Sequence, residues 1–318
     1  MVRIIFLAAL ALAGITQASA KLPVPNEYRD LSVKALNQFM FGYGVNATYR
    51  IGDEWGKIPV TDLSVYPEHL QKVIHATARV GGGTGYYIGQ HNGQHIVATN
   101  FHVCETSFDC EGVSARFTTL GKAFEVTKWL GSWNAVDFAL LVIKVDFAED
   151  AALLNDVKIN MNWDAVLTRG QKLATAGYGV ADNSRRVIVM NTDNDCVVFS
   201  GEGEYRLMAD PDDLNPGPYK AWSFANGCDV SHGDSGSAMV DRETGEGLGI
   251  IWTGRIPKNP IVQNSAFLNG LLRAPTEAVW KELSYGVPSS KMKEHLLEWM
   301  NGDTVDAATK ATISAILM

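Results

Sequence analysis

Three side chains in this sequence stand in settings that could act together as an acyl-transfer centre. Ser235 lies in Gly233-Asp234-Ser235-Gly236-Ser237, His102 in Ala98-Thr99-Asn100-Phe101-His102-Val103, and Asp137 in Ala135-Val136-Asp137-Phe138-Ala139-Leu140-Leu141. A serine hydroxyl is a weak nucleophile until an imidazole can take its proton. The imidazole works best when a buried carboxylate holds its tautomer and stabilises the imidazolium. The oxyanion formed by such an attack would be held by the backbone N–H groups of Gly233 and Ser235. Glycine at 233 allows the backbone angles needed to aim the first of these.

Each residue has a plainer reading, and context decides between the two. Gly-Asp-Ser-Gly alone can be a simple turn. A Gly-Asp-Ser esterase would want its histidine downstream, where only His295 occurs, and Gly-x-Ser-x-Gly is not met because residue 237 is serine. His69, His75, His91, His95, His232 and His295 compete with His102, but none of them ends a strand-like run in a Thr-Asn-x-His-Val setting. His232, three residues before Ser235, is a weaker candidate for substrate contact. Asp109, Asp146, Asp193 and Asp195 lack the apolar run that follows Asp137.

These residues must be carried by strands. Val73–Val80 alternates apolar and polar side chains, and Tyr86–Gly89 and His95–Ala98 flank an Asn-Gly turn. Further strand-like runs are 115–118, 123–130, 138–145, 172–177, 186–190, 196–199, 238–240, 248–252 and 265–268. Ser289-Ser290 can cap a helix over 291–300 that Asn301-Gly302 would stop, and 303–318 is a further helix or a tail. The expectation is an all-β body closed by a C-terminal helix.

The chain of 318 residues carries a net charge of −8, which speaks against nucleic-acid or anionic-membrane partners. Arg3, the apolar run Ile4–Gly14 and Ala18-Ser19-Ala20 form a signal-peptide pattern, too short for a membrane span. The expected organisation is therefore signal peptide 1–20, N-terminal segment or propeptide 21–57, β domain 58–272, and C-terminal helix and tail 273–318. After signal removal, no membrane association is expected. The protein would be secreted or periplasmic, with its oligomeric state open. Four cysteines in an exported chain suggest two disulfides. Of three possible pairings, spacing favours Cys104–Cys110 and Cys196–Cys228. No Cys-x-x-Cys or paired-histidine spacing supports zinc, and no metal or other cofactor is expected. The acidic stretch Asp210-Pro211-Asp212-Asp213 lacks an EF-hand's spacing.

The His…Asp…Ser order, with its three segments, resembles the trypsin-like (chymotrypsin-fold) serine peptidases over roughly residues 73–272. Gly83-Thr84-Gly85 and Cys228-Asp229 before the serine motif look more like the bacterial glutamyl-endopeptidase and V8-protease branch than the digestive enzymes. The resemblance implies two packed six-stranded antiparallel β-barrels, with His102 and Asp137 from the first and Ser235 from the second. It implies an endopeptidase acting on protein or peptide substrates, with Leu248–Gly254, including Thr253 and Gly254, along the first specificity pocket. Asp229, six residues before Ser235, corresponds to the carboxylate that selects Lys or Arg, or else merely caps the turn after Cys228. The histidine that the glutamyl branch uses just before the pocket tryptophan is Ile251 here. In many members of the family a freed N-terminal ammonium pairs with the residue here numbered Asp234. This implies a zymogen, for which Lys57-Ile58 is a plausible cut. A catalytically silent homologue acting as a binding module is the alternative, although no triad residue is missing.

Overall fold

Alternation of apolar side chains builds most of the molecule, and the strands it specifies form two antiparallel systems. The computed structural model describes residues 46–180, 187–212, 219–302 and 305–318. The expected signal peptide and residues 21–45 of the expected N-terminal segment lie outside the described residues. The strands are β1 (Lys57–Pro59), β2 (Thr77–Val80), β3 (Gly83–His91), β4 (Gln94–Thr99), β5 (Ser114–Phe117), β6 (Lys122–Trp133) and β7 (Phe138–Ile143). They continue with β8 (Leu173–Gly177), β9 (Val189–Asn191), β10 (Arg206–Met208), β11 (Ala221–Asn226), β12 (Ala238–Asp241), β13 (Gly247–Gly254) and β14 (Ser284–Pro288).

The first system is a closed barrel in the order β2-β3-β4-β7-β6-β5. Strand β7 shows why its sequence is continuously apolar: both of its faces are buried. Ala139, Leu141 and Ile143 point into the barrel interior with Val97, Phe117 and Val126. Phe138, Leu140 and Val142 join the larger core outside it. The second system is an eight-stranded antiparallel sheet, β1-β9-β8-β12-β13-β14-β11-β10. It exceeds the six strands expected because the short strands β1 and β10 add to its edges.

Among the described residues the five helices longer than four residues are α1 (Glu68–Ala76), α2 (Ala148–Val157), α3 (Ser265–Arg273), α4 (Ser289–Met300) and α5 (Ala307–Ile316). Two of them correct the sequence reading. Residues 73–76 end α1, because Leu70, Val73 and Ile74 share a buried face at helical spacing that a window starting at Val73 cannot show. Residues 265–268 open α3, whose Asn264 side chain accepts from the Phe267 N–H at 3.0 Å. Residues 196–199 form only isolated bridges, Lys172 with Val197 and Val198 with Asn226. Helix α4 forms as expected, but its N-cap residue is Pro288, and Ser289 Oγ instead donates to the Asn162 carbonyl at 2.6 Å. The C-terminal elements are packed. Trp299 stands edge-on to Trp133, and Trp163 Nε1 donates to the Ile316 carbonyl at 2.7 Å.

Residues 48–57 are also tied into the second sheet. Tyr49 and Ile51 are fully buried, Gly52 N–H donates to the Val262 carbonyl at 2.8 Å, and Lys57 pairs with Asn191 across β1 and β9. The division expected between 57 and 58 falls inside β1.

Candidate active site

His102 sits on a single 3-10 turn, Phe101–Val103, directly after β4, and Asp137 ends a second such turn, Asn134–Val136, directly before β7. Because β4 and β7 are paired neighbours, residues 35 apart in sequence meet at one rim of the barrel. Asp137 adopts the left-handed conformation, with φ +36°. That region is uncommon outside glycine but enriched in Asp, and it is a form of strain found at functional sites. Asn100 Nδ2 holds the Asp137 carbonyl at 2.7 Å. The carboxylate is thereby turned back onto the histidine, accepting from the His102 backbone N–H at 3.0 Å and from Nδ1–H at 2.8 Å.

This pairing fixes the tautomer: with Nδ1 committed to Asp137, the neutral ring offers Nε2 as its proton acceptor. Asp137 is wholly buried, whereas the His102 side chain is 39 % exposed. Burial by itself disfavours the imidazolium. The charge and hydrogen bond of Asp137, aided by the charge of Asp210, outweigh it and hold the His102 pKa above its usual 6.5. A base must be neutral to work, so a reaction using His102 as base would slow as pH drops through this raised value. The acid limb of kcat/KM is expected above pH 6.5; a limb below that value would refute the assignment of His102 as base.

The serine turn arrives from the second sheet and is clamped by Thr84 of β3. Thr84 N–H donates to the Ser235 carbonyl at 2.8 Å, and Thr84 Oγ1 donates to the Gly233 carbonyl at 2.7 Å. Tyr178 N–H in turn donates to Thr84 Oγ1 at 3.1 Å. Gly233 and Gly236 take φ of +95° and +89°, conformations that a side chain would strain. The Ser235 carbonyl and Val103 Cγ2 both stand within 3 Å of where a Cβ on Gly83 would be. The serine turn and the histidine turn therefore flank one glycine. Among the described residues no hydrogen bond joins the Ser235 hydroxyl to His102; such bonds are commonly long in unliganded enzymes.

Both expected disulfides are formed, Cys104–Cys110 after His102 and Cys196–Cys228 before the serine turn. Thr253 is half-buried on β13 and donates to Asp210 Oδ1 at 2.7 Å. Gly254 is buried, and a Cβ there would meet Val230 at 3.0 Å and Lys258 Nζ at 3.2 Å. Asp229 is fully enclosed. Its oxygens accept from the Ile51 and Gly56 backbone N–H groups at 2.6 and 2.8 Å, and burial pushes its pKa well up. Of its two sequence readings, this geometry favours the structural one, with the partners coming from the N-terminal segment. His232 presents its carbonyl to Val180 N–H at 2.8 Å. Among the described residues no group of three or more metal-ligating side chains is assembled.

Sequence reasoning missed Thr84 and Tyr219. Tyr219 stacks on Phe101 and stands edge-on to Trp252, joining the histidine turn to β13. Burial, with Asp137 and Asp210 nearby, pushes its phenol far up. No local motif marks it. Thr84 was visible only as part of Gly-Thr-Gly.

No family model matches the chain, and no curated protein matches it. Among solved structures it is similar to Rv3671c of M. tuberculosis H37Rv. A serine-to-alanine mutant in the inactive form is 16% identical, covers 78% of this chain and 98% of that one, and has a TM-score of 0.48. The Rv3671c protease in its inactive form is 17% identical over 76% and 96%, TM-score 0.48. Its active form is 16% identical over 75% and 86%, TM-score 0.46.

Proposed function

We propose that this chain is a serine endopeptidase of trypsin-like type, hydrolysing internal peptide bonds through an acyl-enzyme. The carrying observation is that a wholly buried Asp137 gives both oxygens to His102 on the same rim that receives the Ser235 turn. In this reading His102 takes the Ser235 proton during attack and returns it to the leaving amine. The Gly233 and Ser235 N–H groups hold the oxyanion. The signal-like first twenty residues and the two disulfides support export to the periplasm or the exterior.

Affiliation with the glutamyl-endopeptidase branch is supported by the Gly83-Thr84-Gly85 strand and opposed by Ile251 in the pocket. A Lys or Arg preference through Asp229 requires that carboxylate to be released from Ile51 and Gly56. Fluorogenic peptides differing only in the residue before the scissile bond decide it; equal rates for Lys, Glu and Phe would discard a role for Asp229 in selection.

The second reading, a silent homologue that only binds, is prompted by the lack of a hydrogen bond between the Ser235 hydroxyl and His102 among the described residues. A fluorophosphonate separates the two, because it reacts with an activated serine and not with an idle one. Stoichiometric labelling of Ser235 is expected, and its absence would support the binding module.

A further inference from the structure

Directly behind the serine turn lies a buried ion pair that the proposed chemistry does not use. Lys57 Nζ is paired with Asp234 Oδ2, and the two side chains are only 2% and 4% exposed. The same oxygen accepts from the Ser231 N–H at 2.8 Å and from Ser231 Oγ at 3.1 Å. The backbone is cut away to make room for the pair. A Cβ on Gly179 would come within 2.6 Å of Lys57 Nζ, and one on Gly177 within 2.6 Å of Asp234 Oδ1. The lysine is delivered by β1, which is zipped to β9 through Lys57, Ile58 and Pro59. Gly56 N–H is anchored on Asp229 just before it.

Asp234 is the residue between the two proposed oxyanion donors. Its carbonyl accepts from Ser237 N–H at 2.9 Å, and its N–H donates to the Ser231 carbonyl at 3.0 Å. A carboxylate aimed into the interior fixes the peptide planes on either side of it, but an ionised carboxylate is not tolerated there without a compensating cation. The conformation of the turn that carries the Gly233 and Ser235 N–H groups therefore depends on Lys57. That cation belongs to a side chain within the continuous strand β1, not to a chain end.

We propose that the Lys57 ammonium is the built-in positioning cation of the oxyanion turn, so that the uncut chain is competent without cleavage at Lys57-Ile58. This rests on the peptidase reading above and replaces the zymogen expectation at that bond. Lys57 touches no reacting atom and acts through Asp234.

Two measurements test it. First, the full chain labelled with a fluorophosphonate is weighed intact. The labelled species is expected to retain residues 48–57 joined to Ile58; labelling confined to species that begin at Ile58 or later would overturn the proposal. Second, Lys57→Met keeps the stem and removes the charge. It is expected to lower kcat on the order of 10²-fold, as loss of an oxyanion donor does, with KM changed only a few-fold. Lys57→Ala is expected to regain activity at least about 10-fold with added butylammonium, a response that loss of packing alone would not give. Wild-type kcat in Lys57→Met would sink the proposal. If that variant does not fold, the intact mass of the labelled wild type still decides. Failure of the wild type itself to label would instead remove the peptidase reading.

Discussion

Ser235→Ala is expected to abolish turnover, with a loss in kcat on the order of 10⁶-fold, because without the hydroxyl no acyl-enzyme can form. The same substitution should leave stability within about 0.5 kcal/mol of wild type. The turn is held by backbone groups that alanine retains: the Ser235 carbonyl on Thr84 N–H, and Gly236 N–H on the Ile251 carbonyl at 3.0 Å. The Ser235 hydroxyl itself forms no hydrogen bond among the described residues. Peptide hydrolysis and a thermal melt on one preparation check both halves. Retained activity would show that the nucleophile is elsewhere; a large drop in melting temperature would show that the hydroxyl is structural.

Asp137→Asn should lower kcat by about 10⁴-fold, for a different reason. The carboxylate accepts two bonds, from His102 N–H and from Nδ1–H. An amide has one oxygen to serve them. If its NH₂ faces the ring, Nδ1 must become the acceptor, which moves the ring proton to Nε2 and leaves no base for Ser235. The electrostatic support for the imidazolium is lost as well, so the acid limb should also move down from its raised position. Steady-state kinetics across pH reads both effects. A loss below about 10-fold would remove Asp137 from the triad.

Much of the candidate site was legible because its signals are local. The glycines around Ser235, the apolar run after Asp137 and the strand ending at His102 each declare themselves within about six residues. The cysteine pairs follow from the short separations of 6 and 32 residues. Local reading failed where two periods fit one segment. In residues 73–80 the alternation conceals the last turn of α1, and Ser265 to Leu268 is too short to distinguish a strand from the first turn of α3. It also failed where a side chain's partner is remote. Asp229 looks the same in sequence whether it faces a substrate or, as here, takes N–H groups from residues 173 and 178 positions away.

The amino-acid sequence alone determined the chemistry available: a hydroxyl, an imidazole and a carboxylate, each at a chain reversal, on strands whose alternation requires a buried face. Only the tertiary structure decided how that chemistry is held. It put Thr84 across the serine turn, seated Tyr219 between the two halves, and brought Lys57 to Asp234 over a separation of 177 residues. Turn propensity and periodicity act within a few residues, whereas a buried charge selects its partner only when the whole chain has excluded water around it.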